Sequence, residues 1–119
     1  MATMRSAPIF RLSRLVAPVL LLILAWAGPA VAADPKIELA IRDQQWVPNE
    51  VEVPANTKVE LVIKNEQKKA AEFESHALHR EKVVPPGGQV SLSVGPLKPG
   101  RYEFVDDFNK AARGFIVVK

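Results

Sequence analysis

Apolar and polar residues alternate in short runs along the chain after about residue 36. These runs cover residues 37–42, 50–53, 58–64, 89–94, 101–104 and 115–118. Period-two alternation buries one face of a strand and wets the other, as in antiparallel sheets packed face to face. Turn-forming residues separate the runs at 48–49, 54–56, 85–88 and 96–100. The pattern predicts six to eight short strands and an all-β sandwich.

Two polar segments interrupt the alternation. Residues 66–71 have no period and are predicted to form a loop. Residues 106–113 are similar, and we expect one helical turn within them, at 109–112. Loops held by a rigid scaffold often carry function, and both segments adjoin runs with unusual polar residues.

The first 32 residues have the composition of a secretory signal peptide. Its parts are arginines at 5, 11 and 14, an uncharged apolar run at 15–27, a Gly28-Pro29 break, and small residues at 30–32. The apolar run is shorter than the ~20 residues that span a bilayer. We therefore expect cleavage after Ala32 or Ala33 and no membrane anchor afterwards, with an uncleaved anchor as the alternative. Residues 33–119 would then form one domain.

Charge and cysteine content narrow the function. The three leader arginines account for the whole formal net charge of +3, so the predicted domain is neutral and nucleic-acid binding is not expected. The chain contains no cysteine. Disulfides, thiol nucleophiles and the thiolate ligand of blue copper are therefore excluded.

The first candidate site lies in residues 72–82. If this stretch is extended, Glu72, Glu74 and His76 lie on one face. Phe73 and Ser75 then lie on the other face. Three metal-capable side chains on one face predict a metal site. His79 would face the opposite way unless a turn intervenes. A solvated face with salt bridges is the alternative.

The second candidate is the pair Asp106-Asp107. Two adjacent carboxylates after an apolar residue need a positive neighbour, and the candidates are Arg80, Lys82, Arg113 or a metal ion. Carboxylate and imidazole ligands favour Cu(II), iron, manganese or zinc over Cu(I). Alternatively, the aspartates could cap the predicted helical turn.

Three motifs resemble those of the cupredoxins, which are small copper-binding Greek-key β-sandwiches. They are P-G-x-Y-x-F at 99–104, G-x-I-x-V at 114–118, and the aromatic-x-Pro opening with V-x-V-P-A at 46–57. The resemblance assigns the copper-ligand positions Cys, His and Met to Asp106, Asn109 and either Arg113 or Gly114. It implies a cupredoxin-like fold without a blue type 1 copper site.

Two further runs are similar to a narrower group, the small periplasmic cupredoxin-like proteins that accompany bacterial ferrous-iron uptake permeases. The runs are E-F-E-S at 72–75 and R-E-K-V-V-P-P-G-G at 80–88. This resemblance implies bound Cu(II), iron or both, and as partners an inner-membrane iron permease and other periplasmic iron-uptake components. It implies Glu72, Glu74 and Asp107 as ligands, with Asp106 secondary. Many members carry His where this chain has Asn109.

We therefore expect a periplasmic metal-binding accessory protein that assists oxidation of Fe(II) or its delivery to a permease, and not an enzyme on its own. Its predicted metal ligands are Glu72, Glu74, His76, His79, Asp106 and Asp107. A periplasmic copper carrier or copper-resistance protein is the alternative. A metal-free β-sandwich that binds a protein partner is a third hypothesis.

Overall fold

A computed structural model describes residues 33–119 continuously, together with residues 3–6, 8, 18, 23 and 25–29. Contacts divide the chain into two units, Met1–Ala30 and Val31–Lys119. Most of the predicted signal peptide, residues 1–32, lies outside the described residues, so it stays a prediction. None of the described residues belongs to a helix that is long and apolar enough to cross a membrane.

Residues 33–119 fold into strands joined by turns and loops. The strands are β1 (Lys36–Arg42), β2 (Gln45–Val47), β3 (Glu50–Val53), β4 (Val59–Asn65), β5 (Ala71–Ser75), β6 (Arg80–Val84), β7 (Gln89–Val94), β8 (Gly100–Asp106) and β9 (Asn109–Val118). They form a four-stranded sheet in the order β2-β1-β4-β7 and a five-stranded sheet in the order β3-β9-β8-β5-β6. Pairs β1–β4 and β3–β9 are parallel, and the other neighbours are antiparallel. The predicted all-β, Greek-key sandwich is confirmed.

The core lies between the two sheets, where the alternating apolar residues meet. Below β5 and β8, the rings of Phe73 and Phe104 lie 5.1 Å apart, and the Trp46 ring meets both edge-on. Trp46 is 3% exposed, and its Nε1 donates a hydrogen bond to the Ala112 carbonyl at 3.2 Å. Burying large apolar side chains is worth about 1.5–3 kcal/mol each. This aromatic cluster gives β5 and β8 a rigid base under the candidate site.

The structure departs from the sequence prediction in two places. It has nine strands within residues 33–119, more than the six to eight predicted. The three-residue β2 and the largely exposed β6 were missed because they are too short or too polar to show a clear alternation. The predicted helical turn at 109–112 is wrong, since these residues begin β9. A tight turn at Asp107 and Phe108 joins β8 directly to β9. The loop predicted at 66–71 is present, although Ala71 already belongs to β5.

Candidate functional site

Strand β5 carries two glutamates on the outer face of the five-stranded sheet. Phe73 and Ser75 are buried beneath the strand, so Glu72 and Glu74 point the other way. Both are well covered for acidic residues: Glu72 is 7% exposed, and the Glu74 side chain 14%. Acidic side chains are seldom this buried unless they are paired, so their partners decide what the site can do.

Two further carboxyl groups face these glutamates. The β5–β6 register places Glu81 directly opposite Glu74. Asp107, in the turn after β8, is held beside β5 because its N–H donates to the Glu72 carbonyl at 2.9 Å. We refer to Glu72, Glu74, Glu81 and Asp107 as the carboxyl cluster.

Interactions among the cluster's carboxyl groups shift their pKa values. A hydrogen bond with Glu81, burial, and the nearby negative charges raise the pKa of Glu72 to about 7. A hydrogen bond with Asp107, reinforced by burial and the Asp107 charge, raises the pKa of Glu74. The same bond lowers the pKa of Asp107, and so does Lys110. Close carboxyl groups behave this way because they cannot all ionise together, and such pairs titrate as units.

A lysine and a histidine contact the cluster at two points. Lys110 Nζ lies 3.4 Å from Asp107 Oδ1, and His76 Nε2 lies 2.7 Å from Glu74 Oε1. His76 is 92% exposed on its side chain, so it can leave Glu74 without disturbing the core. Its place beside Glu74 agrees with the predicted grouping.

Arg80, Lys82, Arg113 or a metal ion were the candidate positive neighbours of the Asp106-Asp107 pair. In the structure Lys110, which was not among them, contacts Asp107. The Arg80 guanidinium donates to the carbonyl of Ser93 in β7, and Arg113 pairs with a glutamate of β8. Lys110 lies three residues beyond Asp107, across a turn that the sequence did not predict.

Asp106 and Asp107 have different roles. Asp106 is 1% exposed, and its Oδ1 accepts hydrogen bonds from the N–H groups of Glu72 at 2.9 Å and Phe108 at 3.0 Å. It therefore ties β5 to the β8–β9 turn. Asp107 is therefore the aspartate that belongs to the carboxyl cluster, and Asp106 holds the backbone that positions Asp107.

The two histidines lie in the β5–β6 turn. The His79 N–H donates to the His76 carbonyl at 3.2 Å, and His79 has a φ of 53°, so the chain reverses here. A surface cavity of about 150 Å³ is lined in part by His76, His79, Glu74 and Glu81. The turn that the sequence left open is thus present, and His79 borders the same cavity as His76.

The positions of the blue-copper ligands offer no soft donor. Asp106 is committed to the backbone, and Asn109 Nδ2 donates to Gln44 Oε1 at 3.2 Å. A Cβ at Gly114 would lie 2.2 Å from the Phe104 ring, so no larger side chain fits there. Oxygen and imidazole donors suit Cu(II) or another hard or borderline cation. Within the described part of the chain, however, no three acidic or histidine side chains are yet arranged around one metal position.

Glu81 and Lys110 were missed as site residues by sequence reasoning. Glu81 shares no short spacing with Glu72, and the hairpin register that brings it to the cluster depends on the His76–His79 turn. The signal available in the sequence was that Glu74 and Glu81 are equally far from the centre of that turn, so a hairpin would place them opposite each other. Lys110 could have been found only with the β8–β9 turn known.

The fold and these donors define a small β-sandwich with a carboxyl-rich surface site. A family model, the cupredoxin-like domain, matches residues 14–118, and the chain belongs to that family. It is 48% identical over 84 residues to an uncharacterized protein, RP394, of Rickettsia prowazekii (strain Madrid E), covering 70% of this chain and 67% of that one.

Solved structures share the fold at low sequence identity. One is the metal-binding domain, with Cu(I), of the Cu(I)-exporting P-type ATPase CopA of Streptococcus pneumoniae D39, with a TM-score of 0.65, 15% identity, and coverage of 71% of this chain and 84% of that one. Another is reduced auracyanin from Roseiflexus castenholzii, with a TM-score of 0.62 and 15% identity. The match covers 74% of this chain and 99% of that one. The Cu(I) form of an amicyanin variant has a TM-score of 0.59 and 18% identity, and the match covers 76% of this chain and 88% of that one.

Proposed function

We propose that this protein is a periplasmic metal-binding accessory protein of a ferrous-iron uptake system. Its resident metal is Cu(II), and Fe(II) is the ion whose oxidation or delivery it assists. The proposed ligands are Glu72, Glu74, His76 and Asp107, with Glu81, which lies opposite Glu74, as a further one. His79 is secondary, and Asp106 acts by holding Asp107 in place.

One observation carries the proposal: the β5–β6 register and the Asp107–Glu72 backbone hydrogen bond bring four carboxyl groups together, and two of them, Glu72 and Glu74, are largely buried. Glu72 is paired with Glu81, and Glu74 with Asp107. A metal ion bound here would take the place of the proton that the raised pKa of Glu72 favours. Because ligands must be deprotonated before they bind, uptake should release protons. Because the donors of residues 33–119 are not arranged around one metal position, binding requires their side chains to move.

The choice of copper has two supports. Carboxylate and imidazole donors suit Cu(II) better than Cu(I). The CopA domain and the amicyanin variant, which share the fold, are described with Cu(I). The iron-uptake role, the periplasmic location and the permease partner rest on the signal-like leader and on the E-F-E-S and R-E-K-V motifs.

Calorimetric titration of the purified protein with Cu(II), and anaerobically with Fe(II), tests the proposal. We expect a dissociation constant for Cu(II) well below ~1 mM, since ~1 mM corresponds to only about −4 kcal/mol. We also expect proton release, which is measured as the difference between the binding enthalpies in two buffers of different ionisation enthalpy. No intense blue absorption should appear, because there is no thiolate. An intense blue band would contradict the ligand assignment.

A matched pair of double variants separates the site from general charge. Glu74→Gln with Asp107→Asn should weaken Cu(II) binding by at least 10-fold, which is about 1.4 kcal/mol. Glu50→Gln with Glu52→Gln removes two carboxylates from the same sheet face and should change little. Equal effects of the two double variants would refute the site, and binding weaker than ~1 mM by the unaltered protein would refute the function.

A copper carrier or copper-resistance protein is the second candidate, favoured by the Cu(I)-bound domain of the copper exporter among the structural neighbours. A deletion strain distinguishes the two roles. Poor growth on scarce ferrous iron, with normal copper tolerance, supports the iron-uptake role. Copper sensitivity with normal iron-limited growth supports the carrier. If the protein co-purifies with a permease but binds no metal, it is an interaction module.

A further inference from the structure

The outer edge of β7 differs from the other strand edges. Charged residues or short length normally keep an edge strand from pairing with another chain. Within residues 33–119 the edge strands are β2, β7, β3 and β6. Strands β3 and β6 carry charged residues and β2 has only three residues, whereas β7 has six residues, Q-V-S-L-S-V, and no charge. The edge of β7 is therefore the one within these residues that is long enough and uncharged enough to accept a further strand.

The neighbouring strand β4 shows which backbone groups of β7 point outwards. The Glu60 N–H donates to the Pro35 carbonyl on the β1 side of β4. Hydrogen-bonded and non-hydrogen-bonded pairs alternate along an antiparallel ladder, so Leu61 and its partner Leu92 form a hydrogen-bonded pair. The N–H and C=O groups of the alternate residues of β7 then point away from β4, and these residues are Gln89, Ser91 and Ser93.

Arg80 agrees with this direction and occupies one of the outward groups. Its guanidinium reaches from β6 and donates to the Ser93 carbonyl, with Nε at 3.0 Å from the oxygen. No strand within residues 33–119 pairs with this edge of β7. The outward backbone groups of Gln89 and Ser91, which are both exposed, therefore face solvent and can bond to another chain.

We propose that the edge of β7 binds an extended, acidic segment of a partner protein, which pairs with β7 as a fifth strand of the four-stranded sheet. In such strand addition, main-chain hydrogen bonds supply affinity and alternate side chains supply specificity. The proposal concerns the opposite sheet from the carboxyl cluster and does not depend on a bound metal.

Basic side chains beside the edge decide the charge of the partner. Arg80 and Lys82 of β6 lie opposite Ser75 and Phe73, which are buried in the inner face of their sheet. Residues directly opposite one another point to the same face, so both basic side chains project across the open side of the sandwich, beside β7. A partner carboxylate would give Arg80 a charge-assisted hydrogen bond in place of the neutral Ser93 carbonyl, and such bonds are stronger.

The same two side chains oppose pairing with a second copy of this chain. Antiparallel pairing of β7 with itself would place β6 of both copies on one side of the joined sheet. Arg80 and Lys82 of one copy would then face those of the other, and like charges in that position repel. An acidic segment meets no such barrier.

Apolar residues complete the docking surface. Val90 and Leu92 are half-buried at the rim of the core, so an added strand would cover them. A surface cavity of about 460 Å³ lies at the Ser93 end of the edge. Its lining combines basic and apolar residues, among them Lys58, Arg80, Leu78 and Leu97.

NMR titration of the ¹⁵N-labelled protein at low salt tests the proposal. The probe is an acetylated, amidated eight-residue peptide of alternating glutamate and threonine, and the control peptide has lysine in place of glutamate. We expect the largest shift changes, and slower amide exchange, at Gln89, Ser91 and Ser93, because their outward N–H groups become hydrogen-bonded. The lysine peptide should bind at least about 10-fold more weakly. Equal binding of the two peptides, or shift changes centred on another strand, would overturn the proposal.

A proline in β7 tests strand pairing separately from charge. The Ser91 N–H does not bond to β4, so Ser91→Pro removes an edge donor without breaking the sheet, and the glutamate peptide should bind at least about 10-fold more weakly. Ser91→Thr keeps the N–H and should bind as the unaltered protein does. If Ser91→Pro does not fold, the glutamate peptide methylated at every second backbone nitrogen serves instead, and it should lose as much affinity. Undiminished binding in either form would rule out strand addition.

A matched pair of double variants tests the charge. Arg80→Met with Lys82→Met should weaken binding of the glutamate peptide at least about 10-fold, and the remaining affinity should depend less on salt. Arg101→Met with Lys119→Met removes two basic residues that pair with glutamates of β3, and it should change little. If both double variants lose affinity equally, or if the first binds as tightly as the unaltered protein, the acidic partner is refuted.

Discussion

Two halves of one sheet face neutralise their carboxylates differently. On β3, β8 and β9 each glutamate has a basic partner: the pairs are Glu50–Arg101 at 3.2 Å, Glu52–Lys119 at 3.2 Å and Glu103–Arg113 at 3.5 Å. On β5, β6 and the β8–β9 turn, His76 and Lys110 each contact one member of the carboxyl cluster, and the neighbouring carboxyl groups raise the pKa values of Glu72 and Glu74. We call the first region the ion-paired half.

Under the proposed function, the carboxyl cluster is the half that would take up a cation from solution. The carboxylates of the ion-paired half are exposed and already have permanent partners, and a metal ion would have to break those pairs. The carboxyl cluster is more buried, and the raised pKa of Glu72 favours a bound proton that a metal ion would displace. Salt bridges account for the first half, as expected of an ordinary solvated face, whereas the cluster needs a functional explanation.

Removing Asp106 should have the largest effect on stability, because it would detach the turn that completes the carboxyl cluster. Asp106→Ala leaves the N–H groups of Glu72 and Phe108 without their acceptor, and we expect a loss of about 2–4 kcal/mol in the free energy of unfolding. Urea denaturation measures it. The matched control Asp107→Ala, in the partly exposed neighbour, should lose much less, and equal losses would contradict the distinction between the two aspartates.

The sequence predicted more of the fold than of the site. Alternation and turn residues were sufficient for the sandwich, because a strand with one buried face records its environment in every second residue. Glu72, Glu74 and His76 were grouped for the same reason, since they are two residues apart in sequence, although His76 lies just beyond the end of β5. Glu81, Lys110 and the division of labour between Asp106 and Asp107 depend on two turns and on strand register. These features involve residues far apart in sequence, and local patterns do not encode them.

Replacing Glu81 by lysine should convert the carboxyl cluster into a copy of the ion-paired half. In Glu81→Lys, Glu72 would lose the hydrogen bond that raises its pKa most and gain an opposite charge instead. We expect its pKa to fall from about 7 to below its ordinary value of 4.5, as ¹³C NMR titration of the side chain would show. Cu(II) binding should weaken at the same time.

Glu81→Gln is the control for that exchange, since it adds no charge and still offers a hydrogen-bond donor. The pKa of Glu72 should fall less in this variant than in Glu81→Lys. A pKa that stays near 7 in both variants would mean that burial, and not Glu81, sets it.

The two halves should also differ in how pH affects the metal-free protein. Because the pKa of Glu72 is about 7 in the folded state and near 4.5 when unfolded, the folded state holds a proton that unfolding releases between these values. The free energy of unfolding should therefore fall as pH rises from about 4.5 to about 7. The raised pKa of Glu74 acts in the same direction. The lowered pKa of Asp107 contributes stability above its usual 3.8 that is lost in stronger acid.

Denaturation of Glu72→Gln across this pH range checks the assignment. The variant cannot ionise at position 72, so its stability should fall less steeply between pH 4.5 and 7 than that of the unaltered protein. Glu50→Gln, in the ion-paired half, should keep the original slope. If Glu72→Gln keeps it too, the proton is not held at Glu72.

The smallest effect is expected in the ion-paired half itself. The side chains of Glu103 and Arg113 are 45% and 60% exposed, with 3.5 Å between their charged atoms. Such exposed pairs contribute about 0–1 kcal/mol because water and salt screen them. A double-mutant cycle with Glu103→Gln and Arg113→Met, measured by urea denaturation, should give a coupling below about 1 kcal/mol that shrinks with added salt. A larger, salt-insensitive coupling would show that this half is also built around its charges, and the contrast between the two halves would then be lost.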